Sequence, residues 1–281
     1  MSPVAVASVR EALEGAVPAL AAAGCDTARL DGEVLIADVL GVDRGALAAD
    51  PERPIGAPAA RLIGERIRRR LEREPVAYIL GRRGFRHIEV AVDRRVLVPR
   101  PETELLVEVA LALPSGARVH EVGTGSGAVA LALLDERPDL AVSASEASPG
   151  AVEVARANAA RLGLELELSH ARGLPPALRG DRSAPTPRAY DLVLANLPYV
   201  RDDEWGALAP EIVRWEPREA LVGGADGLDA IRELVAQAPP GTRLALEHAP
   251  AQAPAVRDLL RDAETLSDLA GRERVTVGCA T

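Results

Sequence analysis

The feature that most constrains the fold is an alternation of short apolar runs with longer amphipathic segments, which begins at residue 117. The apolar runs have the length of buried strands, and they lie at 117–122, 140–146, 164–169, 190–195 and 243–247. The segments with helical periodicity lie at about 127–135, 149–162, 226–237 and 251–262. Strands that alternate with helices predict a parallel sheet covered by helices on both faces. The pattern therefore predicts the α/β fold class.

The residues before this region predict a separate helical domain. Leu, Val, Ile and Ala recur at spacings of three and four over 4–23, 26–40 and 59–73, with charged residues between them. Pro51, Pro54 and Pro58 separate the second stretch from the third. We therefore expect a small helical-bundle domain over residues 1–80.

A β-hairpin is predicted between the two domains. Apolar and polar residues alternate over 88–92, residues 93–95 turn the chain, and a second apolar run follows at 96–98. We expect residues 81–100 to form this hairpin linker and the α/β domain to span 101–281.

The charges of the chain exclude some partners and some chemistry. The chain carries 42 acidic and 33 basic residues, for a net charge of −9 at pH 7, which argues against a broad surface for nucleic-acid phosphates. All the basic residues are Arg, which excludes a Lys nucleophile or Schiff base. One Arg cluster has Glu residues interleaved, which predicts a solvated helix face. Its members are Arg61, Arg66, Arg68, Arg69, Arg70 and Arg73. We expect no direct contact with nucleic acid.

Cysteine usage and hydropathy predict a soluble, cytoplasmic protein. Cys25 and Cys279 lie near opposite ends of the chain, without the spacing of a metal site or a disulfide framework. No apolar run reaches the roughly 18–20 residues that a membrane span needs, and the N-terminal stretch has no basic leader. We expect no metal, no membrane association and no targeting segment.

A glycine-rich turn follows the first predicted strand of the α/β domain and opens the next helix. In the run Gly123-Thr124-Gly125-Ser126-Gly127, the glycines allow a tight turn and let a ligand approach the main-chain N–H groups. Glu146 ends the next strand, where a carboxylate can accept hydrogen bonds from both hydroxyls of a ribose. These residues predict a nucleotide-like ligand. They suit NAD as well as S-adenosylmethionine, because the run with Ala128 also satisfies the dinucleotide pattern.

Glu121 precedes the glycines on the same strand and has two candidate roles. Its carboxylate could contact the cationic amino-acid end of S-adenosylmethionine, or it could hold the loop as a strand-end cap.

A second turn distinguishes between these ligands. The strand predicted at 190–195 leads into Asn196-Leu197-Pro198-Tyr199 at the carboxyl edge of the sheet, where ligands bind in such folds. The side-chain oxygen of Asn196 and the backbone carbonyl of Leu197 can each accept one N–H of an –NH₂ group, which would aim the nitrogen lone pair at a methyl donor. Pro198 would stiffen the turn, and Tyr199 would stack on a flat amide or base. The turn therefore favours methylation of a planar, conjugated nitrogen over hydride transfer.

At these residues the chain resembles the release factor glutamine methyltransferase family, known as PrmC or HemK, over nearly its full length. The similar segments are Glu74 to Gly81, Val96 to Glu104, the glycine run, Asn196 to Tyr199, Glu216 to Leu221 and Gly271 to Val275. The stretch Pro99 to Glu104 is the most specific of them, because generic methyltransferase folds lack it.

The resemblance implies a Rossmann-like, class I S-adenosylmethionine-dependent methyltransferase domain with a mostly parallel seven-stranded sheet. It also implies that the N-terminal helical domain recognises the substrate. The implied reaction is methylation of the side-chain amide nitrogen of the glutamine in the Gly-Gly-Gln loop of class I peptide chain release factors. The implied partner is such a release factor, and we expect a monomer.

The resemblance also assigns roles to individual residues. Those implied to hold the glutamine are Asn196, Leu197, Pro198 and Tyr199. Those expected to bind S-adenosylmethionine are Glu121, Gly123, Thr124, Gly125, Ser126, Gly127, Glu146 and Asn196. Those expected to shape the substrate cleft are Phe85, Arg100, Glu102 and Glu104.

Two departures from the family pattern leave alternatives open. Leu197 replaces the first proline of the usual Asn-Pro-Pro-Tyr, and Asn-Leu-Pro-Tyr is also the form of ribosomal RNA adenine dimethyltransferases. No acid lies in 169–173, where such enzymes usually carry one close to the adenine of the cofactor. The alternatives are a methyltransferase for an exocyclic adenine amine of RNA or DNA and a catalytically weak methyltransferase-like protein.

Overall fold

The computed structural model describes residues 7–175 and 190–281. Most of the segment between the apolar runs 164–169 and 190–195 therefore lies outside the described residues. The chain forms two compact units: residues up to Gly81 together with Ala209–Trp215 make the first, and Arg82–Leu208 with Glu216–Thr281 make the second. Each unit has a hydrophobic core of its own. Among the described residues, no helix combines the length and apolar character needed to cross a bilayer.

The first unit consists of helices. Their bounds are α1 Val9–Ala22, α2 Ala28–Leu40, α3 Arg44–Ala49, α4 Ala57–Leu71, α5 Val76–Leu80 and, from later in the chain, α9 Pro210–Trp215. Helices α1, α2 and α4 match the three stretches with helical periodicity. Helix α1 begins with a capping box, in which Ser8 and Glu11 each accept a hydrogen bond from the other's backbone N–H. Helix α2 ends at Gly41, whose φ of +65° favours glycine.

A buried cluster of ion pairs links α2 and α9 to the end of α4. Arg70 donates from Nε to Asp31 at 2.7 Å, and its Nη2 lies 2.8 Å from Glu211. Arg73 donates twice to Glu211, at 2.7 and 2.6 Å. Because Arg70 is only 5% exposed, the prediction of a solvated helix face is wrong for this residue. Its neutralising carboxylates come from distant parts of the sequence, so the local pattern could not indicate them.

The second unit begins with a β-hairpin whose strands differ from the predicted ones. Strands β1 Arg82–Phe85 and β2 Ile88–Ala91 are antiparallel. The prediction of a hairpin is confirmed, but the prediction that 96–98 pairs with 88–92 is wrong. Arg86 forms the tight turn with a φ of +51°. Val98 has a different hydrogen-bond partner: its backbone N–H donates to the carboxylate of Glu216 at 3.3 Å.

The main sheet has seven strands in the order β5-β4-β3-β6-β7-β9-β8. Their bounds are β3 Arg118–Val122, β4 Ala141–Glu146, β5 Glu167–His170, β6 Leu192–Ala195, β7 Arg243–Glu247, β8 Leu260–Ser267 and β9 Glu273–Ala280. The pairs from β5 to β7 are parallel, whereas β9 is antiparallel to both of its neighbours. This confirms the mostly parallel seven-stranded sheet. The accompanying helices are α6 Glu104–Leu111, α7 Ala128–Glu136, α8 Pro149–Leu162, α10 Asp229–Gln237 and α11 Ala253–Asp258.

The register of the sheet brings three chain segments to one edge. Val122, at the end of β3, pairs with Ser145 on β4 and with Ala195 on β6. The residues that follow these positions are the glycine run, Glu146 and Asn196. Because parallel strands end at the same edge of a sheet, the two turns singled out in the sequence lie side by side.

Candidate functional site

A cavity of about 750 Å³ opens at this edge of the second unit. Its lining includes every residue of the glycine run except Gly127, together with Glu121, Glu146, Asn196, Leu197 and Pro198. Further parts of the wall come from residues 95–97 and 217–220 and from residues along the whole length of α10. The size suits a ligand of nucleoside dimensions.

The glycine run turns sharply because three of its residues adopt positive φ angles. These are +76° at Gly123, +57° at Gly125 and +85° at Gly127. A Cβ on Gly127 would lie 2.9 Å from Leu131 of the buried helix α7, so close packing also demands glycine there. A Cβ on Gly125 would meet no atom within 4 Å. The middle of the loop therefore borders open space, and a ligand can approach its backbone.

Glu146 closes β4 and faces the glycine run. Its two carboxylate oxygens accept hydrogen bonds from the backbone N–H groups of Gly125, at 2.9 Å, and Ser148, at 2.8 Å. The side chain is mostly buried but contributes to the cavity wall. Each oxygen has a second lone pair, so the carboxylate can still accept from hydroxyl groups of a ligand.

Glu121 holds the loop from beneath. One of its oxygens accepts from the Thr124 hydroxyl at 2.5 Å and from the Ala130 N–H at 3.0 Å. Burial raises the pKa of Glu121 to about 8, although these two hydrogen bonds oppose the rise. These contacts are those of a strand-end cap. Because Glu121 also lines the cavity, its role toward a ligand stays a prediction.

One further polar side chain, that of Asn158, fixes the same loop. Ser126 is buried, and its backbone carbonyl accepts a hydrogen bond from Nδ2 of Asn158 at 2.9 Å. Asn158, on α8, also exchanges two hydrogen bonds with the backbone of Ala91, at 2.7 and 3.0 Å. Sequence reasoning missed Asn158. The only available signal was an amide on the otherwise apolar buried side of α8.

Asn196 is held by its amide nitrogen. Nδ2 donates to the hydroxyl of Thr103 at 3.0 Å, which leaves the side-chain oxygen, Oδ1, to accept from another group. Leu197 packs on the glycine run, because its Cδ2 lies 3.1 Å from where a Cβ on Gly123 would be. Thr103 belongs to the stretch Pro99 to Glu104, and the sequence did not indicate its link to Asn196.

Tyr199 lies beside a second, smaller cavity of about 30 Å³, which Asn196 and Leu197 also line. Its hydroxyl donates to Glu247 at 3.4 Å. Burial, with the negative charge of Glu247 as a smaller cause, raises the pKa of Tyr199 above its ordinary value. Burial likewise raises the pKa of Glu247, to about 7. Tyr199 is therefore an un-ionised phenol at neutral pH, suited to packing rather than to acid–base work.

The segment 221–227 supports the Asn196–Tyr199 turn. Val200 and Val222 form a parallel bridge, and a Cβ on Gly223 would lie 2.3 Å from the Pro198 carbonyl oxygen. Gln252 donates from Nε2 to the carbonyl of Tyr199 at 2.9 Å. These contacts support the turn from outside, at a site where Leu197 stands in place of its first proline.

The residues predicted to shape a substrate cleft are only partly brought together. Arg100 lines both cavities and pairs with Glu216 at 2.5 Å. Phe85 is buried, Glu102 pairs with Arg272 at 3.2 Å, and Glu104 accepts from the backbone N–H of Arg86 at 3.2 Å. These three do not line either of the two cavities.

Part of the stretch 169–173, which contains no acidic residue, also lines the large cavity. Ala171, Arg172 and Gly173 line it with their backbone or side chains. Acids reach this part of the wall from α10 instead, where Asp229 and Glu233 line the cavity and Glu233 pairs with Arg172 at 3.0 Å. In residues 7–175 and 190–281, no three His, Cys, Asp or Glu side chains converge as a metal site requires.

Two family models match most of the chain. The family model for the PrmC N-terminal domain matches residues 11–81, and that for the Methyltransferase small domain matches residues 101–224.

Among curated proteins, a release factor glutamine methyltransferase of Cereibacter sphaeroides is 43% identical over 278 residues, which cover 94% of this chain and 96% of that protein. The protein of the same name from Xylella fastidiosa is 41% identical over 92% of this chain and 96% of its own length. That of Geobacter sulfurreducens is 36% identical over 96% of each. The solved structure of the T. thermophilus 16S rRNA N2 G1207 methyltransferase in complex with AdoMet and guanosine has a TM-score of 0.44 and 21% identity, and covers 71% of this chain and 44% of that one.

Proposed function

Because the chain belongs to the release factor glutamine methyltransferase family, we propose that it methylates the glutamine of the Gly-Gly-Gln loop in a class I peptide chain release factor. The methyl donor is S-adenosylmethionine, and the acceptor atom is the side-chain amide nitrogen. A substrate of the translation apparatus implies action in the cytoplasm.

The residues of the large cavity fit S-adenosylmethionine. The open side of Gly125 lets the donor approach the loop backbone, and Glu146 is placed to accept from its ribose hydroxyls. Ala171 and Gly173 offer backbone groups to the adenine in place of the missing acid. When bound, the donor supplies a methyl group on a positively charged sulfonium.

The orientation of Asn196 is the observation that carries the proposal. Thr103 holds the amide nitrogen of Asn196, which leaves Oδ1 to accept. Leu197 lines both cavities, and its backbone carbonyl is the second acceptor that we propose. An acceptor glutamine has two N–H donors in one plane, and two acceptors can hold both of them. This arrangement turns the nitrogen lone pair out of that plane toward the donor, with Tyr199 packed against the flat amide.

The reaction needs positioning rather than a covalent enzyme intermediate. The amide nitrogen forms a bond to the methyl carbon as the carbon–sulfur bond breaks, and the bonding pair of electrons stays on sulfur as a neutral thioether. The methylated nitrogen then loses its proton to water. Asn196 and Leu197 lower the barrier by holding the attacking nitrogen in line.

The nucleic-acid alternative is not favoured. The relatives that span the chain are named for a protein substrate, and the net charge of −9 opposes phosphate binding. We assign recognition of the release factor to the N-terminal helical unit, which the PrmC N-terminal family model matches.

The test is methyl transfer from labelled S-adenosylmethionine to a purified class I release factor. A release factor with Gly-Gly-Ala in the loop and ribosomal RNA serve as parallel acceptors. We expect label on the wild-type factor alone. Label on RNA would establish the adenine alternative, and label on no acceptor would contradict the proposed activity.

A further inference from the structure

A buried histidine connects two neighbouring strands of the main sheet. His120 on β3 is 1% exposed, and it pairs in register with Ser143 on β4. Its Nδ1 lies 2.9 Å from Oγ of Ser143, and its Nε2 lies 3.1 Å from Oγ of Ser145. Its ring also stacks on Tyr190, with 4.9 Å between the ring centroids. An apolar side chain would fill this place without polar groups to satisfy, so the histidine points to a role other than stability.

The hydroxyl of Ser145 extends this network to the wall of the large cavity. Ser145 is fully buried, and its Oγ donates to the backbone carbonyl of Gly173 at 2.8 Å. Gly173 lines the cavity. Helix α10 holds the same stretch of chain, because Oε1 of Gln237 accepts from the Leu174 N–H at 2.9 Å. A Cβ on Gly173 would lie 2.2 Å from that oxygen, so the stretch and the helix are in close contact.

The donors and acceptors of the network fix which ring nitrogen of His120 carries a proton. A serine hydroxyl has one proton, and that of Ser145 goes to a carbonyl, which can only accept. Nε2 of His120 must therefore donate to Oγ of Ser145. Burial lowers the pKa of His120 to about 4, so the ring is neutral at neutral pH and Nδ1 carries no proton. Nδ1 then accepts from Ser143, and the hydrogen bonds run in one direction from Ser143 to Gly173.

We propose that His120 and Ser145 are positioning residues for the adenine of S-adenosylmethionine. Nε2 of His120 donates to Ser145, which directs the Ser145 proton to Gly173 and holds residues 171–173 at the cavity wall. Because this stretch contains no acid, the adenine depends on its backbone groups. Backbone groups bind a ligand tightly only when the chain that carries them is held in place beforehand. The inference rests on the proposed function, from which it takes its ligand.

The direct test measures the Kd for S-adenosylmethionine by calorimetry, which needs no release factor. Ser145→Ala removes the hydroxyl that holds Gly173, and we expect it to raise the Kd about 5- to 30-fold. His120→Leu removes the donor to Ser145 and should raise the Kd about 3- to 10-fold. His120→Gln should stay within about twofold of wild type, since a side-chain amide can donate in place of Nε2. The double variant His120→Leu/Ser145→Ala should be no more than about twofold worse than Ser145→Ala alone, because both changes act on one carbonyl.

Steady-state kinetics separate loss of donor positioning from general damage to the enzyme. For Ser145→Ala at saturating S-adenosylmethionine, we expect kcat within about threefold of wild type, while the KM for S-adenosylmethionine rises with the Kd. The Kd for 5′-methylthioadenosine, which lacks the amino-acid end of the donor, should rise by the same factor. A rise confined to S-adenosylmethionine would overturn the inference, because the affected contacts would then lie outside the adenosine part.

Thr276→Val is the matched control. Thr276 is a fully buried threonine on β9, and its hydroxyl bonds to another buried histidine, His248. Neither of these two residues lines the large cavity, and we expect the Kd to stay within about twofold of wild type. The inference is overturned if Ser145→Ala and His120→Leu leave the Kd as unchanged as Thr276→Val does, or if their effects multiply in the double variant.

A spectroscopic readout uses neither S-adenosylmethionine nor a release factor. Nitrogen-15 NMR of the imidazole rings reports which nitrogen is protonated, and the signals of His120 are those that His120→Gln lacks. We expect a proton on Nε2 and none on Nδ1 at neutral pH. A proton on Nδ1 alone would overturn the inference, because Nε2 would then accept the Ser145 proton in place of Gly173. If the wild type binds S-adenosylmethionine but methylates no release factor, only the proposed function fails; if it does not bind S-adenosylmethionine, both fail.

Discussion

At the scale of single residues, Asn196 carries the most specific prediction. Asn196→Ala removes an acceptor that the glutamine needs only when its nitrogen attacks, so kcat should fall about 100- to 1000-fold. The Kd for S-adenosylmethionine should change by less than about threefold, because the glycine run and Glu146 remain. Single-turnover kinetics and calorimetry measure the two quantities. Retained turnover with a correctly folded variant would contradict the assigned role.

Tyr199 supplies a graded comparison. Its ring packs beside the turn, while its hydroxyl makes only a long hydrogen bond of 3.4 Å. We expect Tyr199→Phe to keep kcat within about threefold, and Tyr199→Ala to lose more activity than the Phe variant but less than Asn196→Ala. The three variants are compared in the same methylation assay. If Tyr199→Ala were worse than Asn196→Ala, stacking rather than hydrogen bonding would dominate.

The sequence predicted the residues at strand ends better than the residues that support them. Glu146 ends β4 and Asn196 follows β6, and both lie at the cavity because the carboxyl ends of parallel strands meet at one edge of the sheet. Thr103 and Glu247 were not predicted, although they are connected to Asn196 and Tyr199. Their contacts join residues 48 or more positions apart, and no local pattern records such a distance.

At the scale of secondary structure, the connection from β3 to α7 depends on Gly127, a residue without a side chain. Gly127→Ala introduces a Cβ at a φ of +85° and 2.9 Å from Leu131. We expect it to cost about 2–4 kcal/mol of unfolding free energy, from the backbone angle and overpacking together. Urea unfolding followed by Trp205 fluorescence, in a Trp215→Phe background, reports on the second unit.

Gly163→Ala is the matched control that measures the cost of the positive φ angle alone. Gly163 ends α8 at a φ of +69°, and a Cβ there would meet no atom within 4 Å. We expect a cost of about 1–2 kcal/mol. Equal losses of unfolding free energy in Gly127→Ala and Gly163→Ala would show that the contact with Leu131 adds no cost of its own.

Periodicity predicted the elements of the sheet because each buried strand is a short apolar run. The segment 243–247 matches β7 at both ends. The helix predicted over 251–262 ends at Asp258, because residues from Leu260 onward form the edge strand β8. An edge strand with exposed polar side chains has little apolar periodicity, so its pairing with β9 could not be read locally.

At the scale of the whole molecule, the N-terminal unit depends on a carboxylate that is distant in sequence. Burial acts to raise the pKa of Glu211, but the hydrogen bonds from Arg73 and Arg70 outweigh this effect and hold the pKa below its ordinary value. Glu211→Gln leaves two largely buried arginines without this charge, and we expect a loss of roughly 3 kcal/mol. Urea unfolding followed by Trp215 fluorescence, in a Trp205→Phe background, measures it.

An exposed carboxylate of the same unit serves as the control. Glu65 lies on the exposed side of α4, and Glu65→Gln should change the unfolding free energy by less than about 0.5 kcal/mol. A loss at Glu211 no larger than that at Glu65 would mean that the buried cluster does not hold α9 in the unit.

The buried acids of the second unit predict how its stability depends on pH. The folded state holds the proton of Glu121 up to a pKa of about 8. The contribution of Glu121 to the unfolding free energy is fully present below pH about 4.5, the pKa of this group in the unfolded chain. It is lost as the pH rises through about 8. Between pH 7 and 9 we expect a loss of about 1 kcal/mol, measured by Trp205-monitored urea unfolding. Glu121→Gln should make the profile flatter, and an unchanged slope would show that Glu121 does not cause the loss.

The order of the chain also bears on its synthesis. Helix α9 belongs to the first unit but is followed at once by Glu216, which belongs to the second. During translation, the N-terminal helices emerge before the ribosome has made residues 82–215, which takes roughly ten seconds at about 5–20 residues per second. Arg70 and Arg73 lack Glu211 throughout that interval. A chain that stalls before residue 211 therefore keeps an incomplete first unit, in which Arg70 and Arg73 have no contact with Glu211.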